Sequence, residues 1–378
     1  MKFAFCLFKY FPYGGLQRGF LHLAQECVSR GHQVDVYTGS WSGKLPDNLQ
    51  VTIIRLKGMT NHSCYVSFAH QVKQHTQNKH YDAIVGFNKM PGLDVYFASD
   101  VCYASLIKER SVLYRLTPRC RTLISLEQAV FDTQSSTQII TISDQEMLRY
   151  TSCYGTPAHR FHPVPPGVSK DRLDQANIPG TREDMRREFN ISMETHVVLM
   201  VGSDYKRKGV DRAIRGMASL PQQLQDNTLL LIIGEGKAKP YMRLAKRLKV
   251  SPHILFLGKR DNIPRFLAGA DLLLHPAYHE NTGTVLIEAM GAGLPVLATD
   301  TCGYASHVEH AQAGQIIPSP FHQENHNAML KDMLVSAKRD RWSTNGKHYI
   351  QNTDVYGRHV ESANIIESIA KENKKYYG

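Results

Sequence analysis

Short apolar runs alternate along nearly the whole chain with stretches whose apolar residues recur every three or four positions. Phe3–Phe8 is the first run, Leu16–Arg30 carries the period of a half-buried helix, and Gln33–Tyr37 is the second run. Val51–Leu56, Ala83–Phe87, Val95–Ala98 and Gln138–Ile142 supply further strand candidates. Phe161-His-Pro-Val-Pro-Pro-Gly-Val168 then breaks the rhythm with three prolines and a glycine, which end regular structure and suit a hinge. After a polar, charged stretch over Ser169–Glu194 the alternation restarts. Val197–Val201, Leu229–Ile233, Ile254–Leu257, Leu272–His275 and Pro295–Ala298 read as buried strands, separated by helices near 209–219, 239–249, 262–268 and 284–292. From about Gln323 onward the pattern is helical, and a last helix at about 354–372 is placed to cross back onto the first domain.

A chain of 378 residues exceeds what one hydrophobic core usually supports. The pattern therefore predicts an α/β protein of two Rossmann-like, doubly wound domains. The first spans residues 1–167 with a terminal helix, 352–378, returning to it; the second spans 168–351. Ligands of such sheets sit at the carboxyl ends of the strands, so chemistry belongs in the loops that follow them.

Three of these loops stand out. In the first, Glu280 and Glu288 are separated by seven residues and flank Asn-Thr-Gly-Thr, with Thr282 or Thr284 placed to cap a helix beginning near Val285. In one continuous helix, residues eight apart lie about 80° off one line. With a loop first, both acids can face one cleft, together with the free amides of Gly283, Thr284 and Val285. Those amides and the positive helix end suit an anion, and carboxylates suit sugar hydroxyls. Taken alone, the pair reads first as two solvated helix-end acids. The second loop, Val201-Gly-Ser-Asp-Tyr-Lys-Arg-Lys-Gly209, sets Lys206, Arg207 and Lys208 at a strand end, where a guanidinium and an ammonium can neutralise a pyrophosphate. A solvated charge run is the alternative. The third, Tyr10-Phe-Pro-Tyr-Gly-Gly-Leu-Gln-Arg18, offers Gly14 and Gly15 for close backbone approach to a phosphate, or simply a tight turn.

Charge and cysteine usage narrow the partners. The formal net charge of +11 points to an anionic partner without choosing among nucleic acid, phosphorylated substrate and membrane. Seven scattered cysteines without a Cys-x-x-Cys pair argue against a disulfide framework and a zinc site, and for a reducing cytosol. No run of ~18 uncharged apolar residues is present, and the Lys9-interrupted N-terminus reads as a first strand rather than a signal peptide. No Gly-x-Gly-x-x-Gly or Walker sequence occurs, which disfavours a nicotinamide oxidoreductase. Arginines and aromatics do not alternate along one patch, so nucleic acid is not the expected partner.

Three phosphate- or sugar-suited loops on facing units describe a nucleotide sugar held across a cleft. The sequence resembles the retaining glycosyltransferases of family 4, which have the GT-B fold and the signature Glu-x7-Glu, here Glu280 and Glu288. Within that family, Lys9–Arg18, Gly86-Phe-Asn-Lys-Met-Pro-Gly-Leu-Asp-Val-Tyr-Phe97 and Leu272-Leu-Leu-His-Pro-Ala-Tyr278 are similar to the bacterial lipopolysaccharide core glucosyltransferases. The resemblance implies transfer of glucose from UDP-glucose to an inner-core heptose, with retention. A different donor hexose or acceptor glycolipid remains open, as does a non-catalytic nucleotide-sugar- or nucleic-acid-binding protein.

By the same resemblance, Glu288 binds the donor ribose and Glu280 the transferred sugar. Arg207 and Lys208 hold the diphosphate and offset charge on the leaving UDP, so no metal or other cofactor is expected. Gly15 meets the phosphate, the amides of Thr284 and Val285 assist, and Arg260 stacks on the uracil unless its loop is a bare turn. Asp100 orients the acceptor or stabilises charge on the sugar, unless it caps a helix. His275 and His279 flank the site; a lone histidine is more often structural. Finally, Tyr103–Asp132 interleaves Lys108, Arg110, Arg115, Arg119 and Arg121 with apolar residues against few acids. It reads as an amphipathic surface for an anionic leaflet, or as a solvated helical hairpin. A lipid-anchored acceptor favours the former, which would place the protein in the cytoplasm on the inner membrane face.

Overall fold

The computed structural model describes residues 1–12, 14–108 and 110–377. Tyr13 of the glycine loop and Glu109 of the basic segment lie outside the described residues. The chain divides into two compact units, Met1–Gly167 with Gly357–Gly378, and Val168–Tyr356.

Strands β1 (Lys2–Leu7), β2 (Gln33–Thr38), β3 (Gln50–Ile53), β4 (Ala83–Gly86), β5 (Val95–Ala98), β6 (Gln138–Thr141) and β7 (Phe161–Pro163) build the first unit. Among the described residues they form one sheet in the order β3-β2-β1-β4-β5-β6-β7, every neighbouring pair parallel. Helices cover both faces, so alternate residues of β1 enter different cores. Phe3, Phe5 and Leu7 pack with Phe20, Leu23 and Ala24 of the helix Gly15–Ser29, and with Ala363, Ile366 and Ile369 of the terminal helix. Ala4, Cys6 and Phe8 pack with Phe68, Ala69 and Val72 of the helix Asn61–Thr76.

The second unit contains β8 (His196–Val201), β9 (Thr228–Ile233), β10 (Ile254–Gly258), β11 (Leu272–His275), β12 (Val296–Thr299) and β13 (Gly314–Ile317). They form a parallel sheet in the order β10-β9-β8-β11-β12-β13. Val197 and Leu199 face one core while Val198 and Met200 face the other. The two doubly wound parallel sheets are the architecture expected of the apolar runs.

Four local expectations are corrected. β7 forms within the proline-rich stretch, because an edge strand needs ladder donors on one side only and Pro163 ends it. β13 was not anticipated: it begins on Gly314, whose missing side chain lets it lie against β12, since a Cβ there would stand 1.9 Å from Val296 O. The charged stretch after the hinge contains the helices Lys170–Ala176 and Thr181–Glu188. The latter is tied down where Arg182 and Arg186 each reach Asp271 at 2.6 Å. The terminal helix runs Arg358–Tyr377, so residues 352–356 stay with the second unit rather than opening the returning helix.

Candidate active site

In the second unit the strand order reverses between β8 and β11, and the chain leaves these neighbours toward opposite sides. That divergence opens a crevice at their carboxyl ends. The loop after β8 supplies Arg207 and Lys208; the loop after β11 supplies Glu280. Close backbone approach locks the two loops together. Gly209 has φ +73°, and a Cβ on it would stand 2.0 Å from Pro276 O, while the Tyr278 amide donates to Arg207 O at 2.9 Å. Only glycine meets both demands. Gly209→Ala is therefore expected to destabilise the protein by at least about 2 kcal/mol, through left-handed strain plus overlap, read as a lowered urea midpoint.

Arg212, absent from the sequence reading, holds the Glu280 loop from behind. The Arg212 guanidinium lies 3.7 Å from the centres of both the Tyr278 and Phe321 rings. It donates to Pro276 O at 3.1 Å and Ala277 O at 3.0 Å, and Tyr278 is fixed in turn by its hydroxyl donating to Asp211 at 2.9 Å. On the far side, Glu280 bridges to Cys302 through N–H to Thr301 O at 3.2 Å and Gly303 N–H to Glu280 O at 3.1 Å.

These constraints bring two cations onto one oxygen. Arg207 Nη1 and Lys208 Nζ both donate to Glu280 Oε2. The Lys208 stem crosses the strand end where Gly202 has no side chain, leaving the residue 8% exposed. Its ammonium also lies 3.4 Å from Nε2 of His275, the last residue of β11. Burial pushes the Glu280 carboxyl up, but Lys208 and Arg207 outweigh it and hold it down to about 2. Burial, then Lys208, drive His275 down to about 3, so its ring is neutral and can accept from the ammonium. His275 is thus packed into the knot rather than merely flanking it; His279 is partly exposed on the same loop.

Glu288 is 8% exposed in the second turn of the helix Thr284–Gly291. It meets Arg172, unnoticed in the sequence, with Nε at 3.0 Å from Oε1 and Nη2 at 3.4 Å from Oε2. Neither Thr282 nor Thr284 caps this helix: its N-cap is Gly283 at φ +83°, with no side-chain cap. The first-turn amides keep their donor capacity for another acceptor. Arg260 stands apart from the knot, exposed in the loop after the edge strand β10.

In the first unit the two glycines differ. A Cβ on Gly14 would stand 1.8 Å from Gln17 Oε1, so Gly14 serves packing; at Gly15, the first residue of its helix, nothing lies within 4 Å. Gly15 is the one open to a ligand. Asp100 is exposed after β5 and does not cap a helix, because the next one begins at Tyr103 with Cys102 as N-cap. Lys108, Arg110, Arg115, Arg119 and Arg121 are all exposed. Val112, Leu113 and Leu116 stand among them at 68%, 80% and 54% exposure. No helix among the described residues is long and apolar enough to cross a membrane.

Comparison with known proteins agrees with this geometry. The family model for glycosyl transferases group 1 matches residues 181–349, and that for glycosyltransferase family 4 matches residues 13–172. The lipopolysaccharide glucosyltransferase WaaG of Escherichia coli K12 is 43% identical over 368 residues, 97% of this chain and 98% of its own. A crystal structure of WaaG, described as a glycosyltransferase involved in lipopolysaccharide biosynthesis, superposes with a TM-score of 0.91 over 96% of this chain and 99% of that one, at 43% identity. A sucrose-phosphate synthase from Thermosynechococcus elongatus, 18% identical, matches 100% of this chain and 98% of its own with a TM-score of 0.75, which speaks for the fold alone. Fold and site thus define a glycosyltransferase of the GT-B class. Within it, the chain belongs to glycosyltransferase family 4, in the group that includes WaaG.

Proposed function

We propose that the protein moves glucose from UDP-glucose onto a heptose of the lipopolysaccharide inner core, with retention and without a metal. The observation that carries this reading is the convergence of Arg207, Lys208 and Glu280 at the switch point of the second sheet. As the bond to the sugar breaks, the leaving diphosphate gains charge. A buried ammonium and a guanidinium already in place stabilise that charge without solvent reorganisation. Glucose and a lipopolysaccharide acceptor are drawn from likeness to the lipopolysaccharide glucosyltransferase WaaG, UDP and the heptose from the family resemblance.

In this reading Glu288 takes the ribose hydroxyls, its carboxylate pre-set by Arg172, and Glu280 takes hydroxyls of the transferred sugar. The amides of Gly283, Thr284 and Val285 and the open face of Gly15 serve the phosphates; Arg260 serves the uracil. Asp100 acts on the acceptor side. No nucleophile is assigned. Purified protein is tested with a panel of UDP- and GDP-sugars and core-truncated lipopolysaccharide ending in heptose, with the product anomer read by NMR. UDP-glucose turnover that retains configuration and persists in EDTA is expected; an inverted product or strict dependence on a divalent ion refutes the respective part.

The exposed basic and apolar residues over 108–121 support peripheral attachment to an anionic leaflet on the cytoplasmic side, each cation near the surface contributing roughly 1 kcal/mol. Binding to phosphatidylglycerol vesicles is expected to fall as salt rises, and to be lost when Arg115, Arg119 and Arg121 are changed together to glutamate. Unchanged sedimentation of that triple variant with vesicles refutes the attachment.

A further inference from the structure

The loop after β4, Gly86-Phe-Asn-Lys-Met, has so far been given no task, although it stands at the switch point of the first sheet, between β1 and β4. Asn88 Oδ1 accepts the Phe8 amide at 2.7 Å, joining the loops after these two strands. Lys89 turns inward instead. Its ammonium lies 2.5 Å from Glu127 Oε2 and donates to Val101 O at 3.0 Å.

Glu127 belongs to the helix Pro118–Phe131 and is fully buried. Beyond Lys89, it accepts the backbone amides of Tyr103 and Ala104, each at 2.8 Å, and the Tyr154 hydroxyl at 2.8 Å. It therefore satisfies the amino end of the short helix Tyr103–Ile107, which has no side-chain cap of its own. Next to it, Glu146 accepts the Cys102 amide at 2.6 Å and is itself paired with Arg149. Tyr150 donates to Asp100 O at 3.0 Å. Every residue from Asp100 to Ala104 is thus fastened through its backbone to a side chain from one of three other elements. Two carboxylates are balanced by two cations, as burial of such groups requires.

That short stretch joins two features with acceptor-side roles in the proposed function. Asp100 stands at its start, and the exposed basic segment beginning at Lys108 follows its end. We infer that Glu127, fixed by Lys89, is a positioning residue for acceptor capture: it sets the root of the basic segment, so that the surface holding a phosphorylated lipid-linked glycan and the Asp100 carboxylate keep a fixed spacing. This inference rests on the membrane reading given above. Neither residue touches substrate; both act through the backbone they hold.

Glu127→Gln breaks the balance, because an amide keeps an acceptor but leaves the Lys89 charge buried and uncompensated. The double variant Lys89→Met/Glu127→Gln removes the stranded charge and serves as the folded control. Three quantities are read on each: UDP affinity by calorimetry, KM for heptose-terminated lipopolysaccharide, and binding to vesicles of phosphatidylethanolamine with phosphatidylglycerol. Loss of charge-assisted hydrogen bonds to the segment root is expected to raise acceptor KM about tenfold or more and to weaken vesicle binding similarly. UDP affinity should stay within twofold, since the charged residues assigned to it, Arg207, Lys208, Glu280 and Glu288, all belong to the second unit. A double variant with wild-type acceptor KM and vesicle binding overturns the inference, and so does one whose UDP affinity falls in parallel, which a general structural role would produce. The Arg115→Glu/Arg119→Glu/Arg121→Glu variant separates the two levels. If it loses vesicle binding while Lys89→Met/Glu127→Gln keeps it, the inference alone falls; if both keep it, the membrane reading falls and takes the inference with it.

Discussion

Lys208→Met is expected to lower kcat by about 10²- to 10³-fold, the size of effect that follows loss of one fixed donor from a developing anion. Arg207→Ala should cost less. The Lys208 side chain is 11% exposed and sits deep between β8 and β11, whereas the Arg207 side chain is 33% exposed, where water screens it and can replace part of its charge. KM for the donor should rise in both variants, because the diphosphate is already anionic in the ground state; the extra fall in kcat marks charge that appears only as the bond breaks. Lys208→Arg should not rescue, since a planar fork cannot occupy the narrow path over Gly202 that the lysine stem follows. Steady-state kinetics with donor and acceptor varied in turn decides this. Equal losses at the two positions, confined to KM, would count against transition-state stabilisation by the buried cation.

The second large effect is on stability in mild acid. Burial, then Lys208, drive His275 down from 6.5 to about 3, and burial drives His326 down from 6.5 to about 4. Both are essentially inaccessible, His275 at the end of β11 and His326 under the helix that contains Gly216. In the unfolded chain each takes up a proton near pH 6.5, while the folded protein does not. Below that pH the unfolded state therefore binds more protons, and stability falls with pH by about 1.4 kcal/mol per unit for each histidine until the folded value is reached. Moving from pH 7 to pH 5 should remove roughly 4 kcal/mol from the pair together. Glu280 acts in a lower window: its stabilisation is complete above its ordinary 4.5 and is lost as pH falls toward about 2. Urea unfolding at pH 7 and pH 5 measures the first window, and His275→Gln with His326→Gln should reduce the slope, leaving the part contributed by His359, which burial also drives down to about 3. An unaltered pH slope in that double variant would contradict the assignment.

The interior strands were legible because their apolar runs have no competing explanation: β5 and β11 occupy the residues that the runs mark. The edge strands were not. β7 is three residues ending in proline and β13 is four residues opening on glycine, and both look like punctuation until a neighbouring strand is known. The helix Thr181–Glu188 escaped notice because one of its buried side chains is Arg186, 1% exposed, which any apolar period counts as facing water. At the site, the charged residues were found by their position after strands, while their partnerships were hidden by distance along the chain. Lys208 and Glu280 are 72 residues apart, Arg172 and Glu288 116. Nothing near Arg172 in the sequence marks it as the holder of an acid in another loop. The helix cap was misread for a local reason: two threonines bracket Gly283, and the rule favouring hydroxyl caps yields here to a backbone that only glycine adopts readily.

Glu280 also sets how the site responds to salt. The site stores a counterion for its buried ammonium, so the donor diphosphate meets two cations that already share one carboxylate, and part of the charge it would neutralise is offset beforehand. Free orthophosphate and chloride gain little by entering. Ionic strength should then touch donor affinity less than it touches vesicle binding in the attachment proposed above, where Lys108, Arg110, Arg115, Arg119 and Arg121 are exposed. Vesicle binding that falls with salt while donor affinity changes little is the outcome this pairing predicts.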